Sequence, residues 1–386
     1  MQKQTPFVSL IIPVRNAQRT LDKTFEYILN VEYPREKMEL VIADGGSTDG
    51  TLDVIKKWQA KHPFIKLVEV ENCPSPGYAR NKALEAVKGE FIFFTDGDCA
   101  PCKDWITQML KHFYEDEKIG IVGGEIYTLM VDQDNLTELY CEHFRFNMVA
   151  PRYGFTIKSG YFPPLTDKSP TQIAGHRAYF FVTANAAYRK KAIDEANAKF
   201  WEEKTGEDME FGLQIQQKGW KLYFEPEAKV DHMHRADFPS LKKVWVTYGM
   251  AHAPLLAKHA SNRFDIVFQT LGPWPKLPLW SLPSPVKGFL YIGYFHLMHL
   301  SGLICLGGLV FALLGVGVTA ALWTSLAAAL LTLYYMRRYF AVCFLMKPHK
   351  HFFTWCKMKY MTNLMFMIGG LKRSAKFKTF CVEPSF

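Results

Sequence analysis

The chain has 386 residues and a formal net charge of +9, enough for one large domain or two ordinary ones with ample core. The charge sits at one end: residues 337–386 hold ten Lys and Arg against one acid, Glu383, whereas residues 1–336 hold 36 of each sign. A neutral body with a basic end argues against a nucleic-acid-binding domain, which spreads basic residues over a folded face, and for a tail at an anionic membrane surface.

The opening "MQKQTPFVSLIIPV" has too short an apolar run, and no small-residue cleavage site, for a signal peptide. The domain that follows is therefore expected in the cytoplasm, and eight Cys without regular spacing fit a reducing compartment. "VSLIIPV" (8–14) predicts a strand buried on both faces. Leu21, Phe25, Ile28 and Leu29 then fall on one face of a helix. Strands follow at 38–44, 65–70 and 90–95, with helices at about 51–61, 77–87 and 104–114 between and after them. Strand–helix alternation with short links implies a mainly parallel sheet with right-handed crossovers.

Open parallel sheets bind ligands at the carboxyl ends of their strands. Three polar clusters fall there: Pro13-Val14-Arg15-Asn16, "DGGSTDG" (44–50) and Asp96-Gly97-Asp98. The Gly-x-Gly-x-x-Gly and Gly-x-x-x-x-Gly-Lys nucleotide motifs are both missing. Two carboxylates one residue apart at a strand end suit Mg²⁺ or Mn²⁺, which bridge carboxylates to substrate phosphates. The neighbouring Cys99 and Cys102 lack the second thiol pair that structural zinc requires and are expected to be inert.

From Gly288 to Met336 there are 49 residues without Lys, Arg, Asp or Glu. About 20 apolar residues cross a bilayer, so this run predicts two membrane helices turning near Gly315 and Gly317. Lys287 before them and Arg337 and Arg338 after them place both ends on the cytoplasmic side. "FFTWCKMKYMTNLMFMIGGLKR" then reads as an interfacial helix or a poorer third membrane segment.

"VSLIIPVRNAQRTL", "DGGSTDGT", "GYARNKAL", "FTDGDC" and "GEDMEFGLQIQQKGWKLYFEPEAKVDHMH" (206–234) occur in an order and spacing that resemble glycosyltransferase family 2 enzymes with the GT-A fold. The resemblance covers about residues 7–250. It implies an α/β, GT-A-type (Rossmann-like), mainly parallel sheet with flanking helices, followed by the transmembrane hairpin. Residues 1–250 would be catalytic, with a nucleotide-binding half at 1–125 and an acceptor half at 126–250. A linker or interfacial segment would occupy 251–287, two transmembrane helices 288–346, and a basic amphipathic segment 347–386.

On the same resemblance, Pro13 and Arg15 would lie along the base of a nucleoside diphosphate, Asp44 would accept a hydrogen bond from it with Ser47 beside it, and Asp96 would meet the ribose. Asp98 would bind Mg²⁺ or Mn²⁺, with His232, or His234 in reserve, completing the site. Arg80 would steady the phosphates, an exposed arginine at a helix start being the other reading. Asp208 would be the catalytic base with Glu207 in support, although a carboxylate there also suits a helix N-terminus. Asn185, in "TANAAYRKKAI" (183–193) after the aromatic-rich stretch 125–180, would line the acceptor pocket.

The activity implied is inverting sugar transfer from a nucleotide sugar, UDP ahead of GDP or dTDP, to a hydroxyl of a lipid-linked acceptor. Transfer onto polyprenyl phosphate is the alternative, and a non-catalytic nucleotide-sugar-binding membrane protein a remote one. No nucleic-acid partner is expected.

Overall fold

The computed structural model describes residues 5–145, 148–149, 158–175, 177–268 and 277–383; residues 151–157 of the aromatic-rich stretch lie outside them. The chain divides into two compact units, one of Met1–Thr166 with Ala178–Asp237, the other of Asp167–Arg177 with Phe238–Phe386.

In the first unit, strands β1 (Val8–Val14), β2 (Met38–Asp44), β3 (Ile65–Glu69) and β4 (Phe91–Phe94) alternate with helices α1 (Gln18–Leu29), α2 (Thr51–Gln59) and α3 (Pro76–Ala86). Next come β5 (Cys99–Pro101), α4 (Trp105–Glu115), β6 (Ile119–Leu129), β7 (Gly160–Tyr161), β8 (Ala186–Arg189), α5 (Glu207–Gln216) and β9 (Lys221–Met233). The sheet order is β3-β2-β1-β4-β8-β6-β9-β5, with β7 also on β9. Pairing is parallel across β3-β2-β1-β4 and between β6 and β9. The pairs made by β5, β7 and β8 are antiparallel, so the sheet is mixed beyond β4.

Side chains alternate across these strands. Val8, Leu10, Ile12, Phe91 and Phe93 pack in one core with Phe25 and Trp105, and Ile11, Val41, Ile92 and Phe94 in another with Ala79 and Phe211. Both faces are thus covered, as the unbroken apolar runs require.

β9 is a 13-residue strand, not the short one suggested by "EAKVDHMH" alone. Its register against β6 jumps from Gly124↔Glu225 to Glu125↔Lys229, so Pro226, Glu227 and Ala228 bulge out. Asn185 fills this break. Its Nδ2 donates to Glu125 O and Ala228 O, both at 2.8 Å, and its Oδ1 accepts the Trp105 Nε1–H at 2.8 Å. A Cβ on residue 124 would run into Ala228 O and the Asn185 amide, so the backbone approaches closely only because Gly124 stands there.

The second unit contains helix α6 (Phe238–Gly249) and strands β10 (Arg263–Phe268), β11 (Leu277–Pro283) and β12 (Lys287–Ile292). They are followed by α7 (Tyr294–Leu313), α8 (Val318–Phe340), α9 (Phe352–Phe377) and β13 (Thr379–Val382). The strands form a sheet in the order β11-β10-β12-β13. Within 251–287, expected to be a linker or interfacial segment, the described residues include a helix at His252–His259 before the strands.

The charge-free run opens with a strand, and its first helix begins at Tyr294 rather than at 288. The reversal comes at Gly315 and Gly317, both with positive φ (74° and 51°). α7 and α8 are long and apolar enough to cross a membrane and expose Leu303, Leu306, Leu313, Trp323 and Leu333. Ser325 Oγ donates to Cys305 O at 3.1 Å, and Thr332 Oγ1 to Ser301 Oγ at 2.9 Å, bonding one helix to the other.

α9 is no free amphipathic tail. It packs against α6, where glycines let the backbones close: a Cβ on Gly249 would strike Phe366 O, and one on Gly369 would strike Val246 O. β13 then pairs in parallel with β12, Lys287 opposite Thr379.

Asn185→Ala would leave the Trp105 indole N–H and two carbonyls buried without partners, at about 1–3 kcal/mol for each unmet group. The expected loss is about 3 kcal/mol or more, read as a lower melting midpoint of the full chain in detergent.

Candidate functional site

β1 lies between β2 and β4, in register Val8↔Met38 and Val8↔Phe91, so the three polar clusters emerge at one edge. Asp44 ends β2 and is 2% exposed. Its Oδ2 accepts the N–H groups of Gly46 (3.0 Å) and Ser47 (2.9 Å), and its Oδ1 the Ser47 hydroxyl at 2.5 Å. Ser47 Oγ in turn accepts Asn16 N–H at 2.8 Å, tying the loop after β2 to the loop after β1. Asp44 thus shapes its own turn. The Arg15 guanidinium is exposed and donates to Cys73 O at 3.3 Å, while Pro13 pairs with Ala43 inside the sheet.

The second cluster follows β4. A Cβ on Gly97 would sit 3.0 Å from Val14 Cγ1, which accounts for the bare position between the two aspartates, and Gly97 O accepts the Thr20 hydroxyl at 2.7 Å. Two residues on, β5 pairs antiparallel with β9, Cys99 opposite His232. This pairing sets His232 Nε2 3.5 Å from Asp98 Oδ1. Ligand atoms of Asp96, Asp98, Cys99 and His232 all lie within 4.8 Å of one another.

Two carboxylates and an imidazole fit a hard to borderline divalent ion such as Mn²⁺ or Mg²⁺. Hard ions favour oxygen over sulfur, and burial first, then the charges of Asp98 and Asp96, raise Cys99 well above the ordinary thiol range. Burial likewise pushes Cys102 up to about 11, so both thiols of the Cys-x-x-Cys stay protonated. His234 is directed elsewhere. Its Nε2 lies 3.0 Å from Thr128 Oγ1, and burial, with His232 and Arg235 nearby, lowers its pKa to about 3. Of the two histidines, only His232 stands at the carboxylates.

The third cluster comes from α3 and α5. Ser75 caps α3, its Oγ accepting Tyr78 N–H at 3.2 Å, and Pro76 fits the first turn. Each polar residue of "GYARN" has a distinct partner. A Cβ on Gly77 would meet Trp201 O at 2.5 Å, so the 200–201 backbone rests on the bare position. Asn81 Nδ2 donates to Phe200 O at 2.7 Å, and its Oδ1 accepts Phe200 N–H at 2.9 Å. These contacts hold the segment leading through Gly206, at φ 76°, into α5, whose first two residues are Glu207 and Asp208.

Arg80 is neither exposed nor at the helix start. It is 4% exposed, inside α3, with NH2 3.0 Å from Asp96 Oδ1 and NH1 3.0 Å from Glu207 Oε1. Beside it, burial and the Glu207 charge raise Asp208 to about 7, an effect that Arg80 opposes. An acid poised there can hold or release a proton near neutral pH.

Of the expected residues, the fold brings together Asp96, Asp98, His232, Arg80, Glu207 and, next to Glu207, Asp208. Asn185 stands apart from them, 1% exposed, with its amide bonded to Trp105 and across the β6–β9 break. Gly77 and Asn81 were not singled out in the sequence, though both stand within the quoted "GYARN"; what marks them is contact with a segment well over a hundred residues away.

A mixed α/β sheet with carboxylates and a histidine gathered at its strand ends defines the class, a glycosyltransferase of GT-A-like fold. The model for "Glycosyl transferase family 2" matches residues 9–196, and that for "Glycosyl transferase family group 2" matches residues 165–346. The dolichyl N-acetyl-alpha-D-glucosaminyl phosphate 3-beta-D-2,3-diacetamido-2,3-dideoxy-beta-D-glucuronosyltransferase of Methanococcus voltae is 30% identical over 263 residues, 66% of this chain and 76% of that protein. Glycosyltransferase AglE of Haloferax volcanii is 29% identical over 126 residues, 33% of this chain and 41% of that protein's length. A solved structure of the mannosyltransferase PcManGT from Pyrobaculum calidifontis, in complex with GDP-Man and Mn²⁺, superposes with a TM-score of 0.53 at 18% identity, covering 96% of this chain and 88% of that one. The chain belongs to glycosyltransferase family 2.

His232→Ala would remove the imidazole from this cluster. The Mn²⁺ concentration needed for half-maximal binding of UDP or GDP is expected to rise about tenfold or more, and an unchanged requirement would remove His232 from the metal site.

Proposed function

We propose that this glycosyltransferase transfers a sugar, with inversion, from a nucleoside diphosphate donor to a hydroxyl of a lipid-linked acceptor at the cytoplasmic face of a membrane. The observation that carries this reading is the spacing of two groups of acids. Asp96 and Asp98 stand with His232, while Glu207 and Asp208 open α5, and one arginine spans Asp96 and Glu207.

Arg15 and Ser47 stand in the loops after β1 and β2, beside Pro13 and Asp44 at the strand ends, where the base and ribose would lie, UDP ahead of GDP or dTDP. Asp96, Asp98 and His232 would hold Mn²⁺ or Mg²⁺. A divalent ion there supplies positive charge for the departing diphosphate. Asp208, held at the helix start by the "GYARN" contacts, accepts the proton of the attacking hydroxyl as the new glycosidic bond forms and the bond to the diphosphate breaks. A base on the acceptor side, opposite the leaving group, gives a single displacement and hence inversion.

The lipid-linked acceptor is supported by the Methanococcus relative, whose name carries a dolichyl phosphate-linked sugar acceptor, and by the hairpin. Each of its helices is about 30 Å long at 1.5 Å per residue, the thickness of a hydrocarbon core, and Lys287, Arg337 and Arg338 flank it. Tethering a donor-binding domain to a bilayer raises its effective concentration toward acceptors confined there.

Asp208→Asn is expected to lower turnover about 10²–10⁴-fold while UDP or GDP binding in Mn²⁺, followed by calorimetry, changes little; an active variant would sink the base assignment. Because the working form is the carboxylate and its pKa is raised to about 7, turnover of the unmodified enzyme should fall as pH drops below about 7 and level off above it. A pH–rate profile without that acidic limb contradicts the assignment.

A further inference from the structure

Arg80 was expected at the donor phosphates, and its surroundings do not suit that. Both terminal nitrogens already meet carboxylates at 3.0 Å, on Asp96 and on Glu207. The guanidinium lies over the Phe200 ring, 5.6 Å from its centroid, and Phe200 is stacked on Phe211 of α5 at 3.9 Å. Its Nε is buried without a partner, as is the hydroxyl of Tyr188, which packs on Phe211 from β8. With the side chain 4% exposed, a phosphate reaches the remaining guanidinium donors only if one of these neighbours moves aside.

We propose instead that Arg80 is a positioning residue that couples the donor side of the site to the base side, fixing Asp96 and Glu207 relative to one another through a single rigid fork. Guanidinium geometry makes this possible: NH1 and NH2 are coplanar and a fixed distance apart, so two carboxylate oxygens bonded to them are located together. Asp96 stands two residues from Asp98, and Glu207 immediately precedes Asp208. A shift of the donor carboxylates therefore carries through Arg80 to the start of α5. The charge pattern agrees, since Asp96, Glu207 and Asp208 surround this one cation and would repel one another without it. The proposal rests on the reading of Asp208 as the base.

The test uses the full chain in detergent, Arg80→Lys, Glu207→Gln and the double variant. Turnover is followed as hydrolysis of UDP-N-acetylglucosamine or GDP-mannose, and binding of UDP, GDP and dTDP with Mn²⁺ by calorimetry. A lysine keeps the charge but not the fork. Arg80→Lys is expected to lose about 100-fold in kcat, the scale of a misplacement near 1 Å, with the nucleotide Kd within about threefold of the parent. The double variant should be no more than about twofold slower than Arg80→Lys, because both changes cut the same link. A Kd weakened tenfold or more with kcat retained would restore the phosphate role and overturn the proposal, and so would losses that simply multiply.

If Arg80→Lys fails to fold, Asp96→Asn and Glu207→Gln form the cycle. Coupled effects on kcat of about fivefold or more support the fork, and multiplicative effects refute it. A parent chain that binds none of UDP, GDP and dTDP sinks the transfer reading together with this proposal. Nucleotide binding with kcat unmoved in Arg80→Lys sinks this proposal alone.

Discussion

The antiparallel pairing of β5 with β9 is the contact on which the candidate site depends. Three residues of β5, Cys99 to Pro101, hold their ladder to Val230–His232, and through it an aspartate after the fourth strand meets a histidine near the end of the ninth. β9 could not make this pairing in the register with which it starts. The three-residue break after Glu225 re-aims the strand, and Asn185 satisfies carbonyls the break would leave bare. A buried amide that touches no ligand therefore stands behind the position of His232.

The other half of the site depends on close backbone approach rather than on a ladder. Gly97 lets the loop after β4 lie against Val14, and Gly77 lets the 200–201 segment lie on α3. In both places a missing side chain brings polar groups within hydrogen-bonding range. Crowding four acids, Asp96, Asp98, Glu207 and Asp208, into one edge of a sheet is electrostatically unfavourable. The opposing charge of Arg80, sealed against an aromatic stack, offsets part of that repulsion where solvent screening is weak. The rest is left as a raised proton affinity at Asp208.

The elements most legible in the sequence were those whose ends are set by local chemistry. β1 and β2 begin and end at the expected residues because apolar runs stop at Arg15 and Gly45, and α2 and α3 start within one residue of expectation because Gly50, Ser75 and Pro76 mark their N-termini. Elements set by distant partners were not legible. Pro226 interrupts the pattern of β9, which only the plug at Asn185 makes continuous. β10 to β12 are short strands whose neighbours include β13, almost a hundred residues on. The basic residues of α9 suggested a surface tail, but Trp355, Met358, Phe366 and Gly369 form its buried side. Residue type alone did not show that the Asn185 amide bonds Trp105 and the β6–β9 break, nor that the Arg80 guanidinium meets two carboxylates. In both cases the deciding partners lie on other strands or helices.

The parallel pairing of β12 with β13 bears on how the chain can thread a bilayer. The two strands flank the entire apolar hairpin, one ending at Ile292 and the other beginning at Thr379, and a hydrogen-bonded sheet cannot have its neighbours on opposite sides of a hydrocarbon layer. Whatever lies between them must leave and return to the same aqueous side, so the number of crossings is even. This parity follows from backbone hydrogen bonds alone, independent of where the positive charges fall. With both α7 and α8 crossing, the same parity would keep α9 from being a third span.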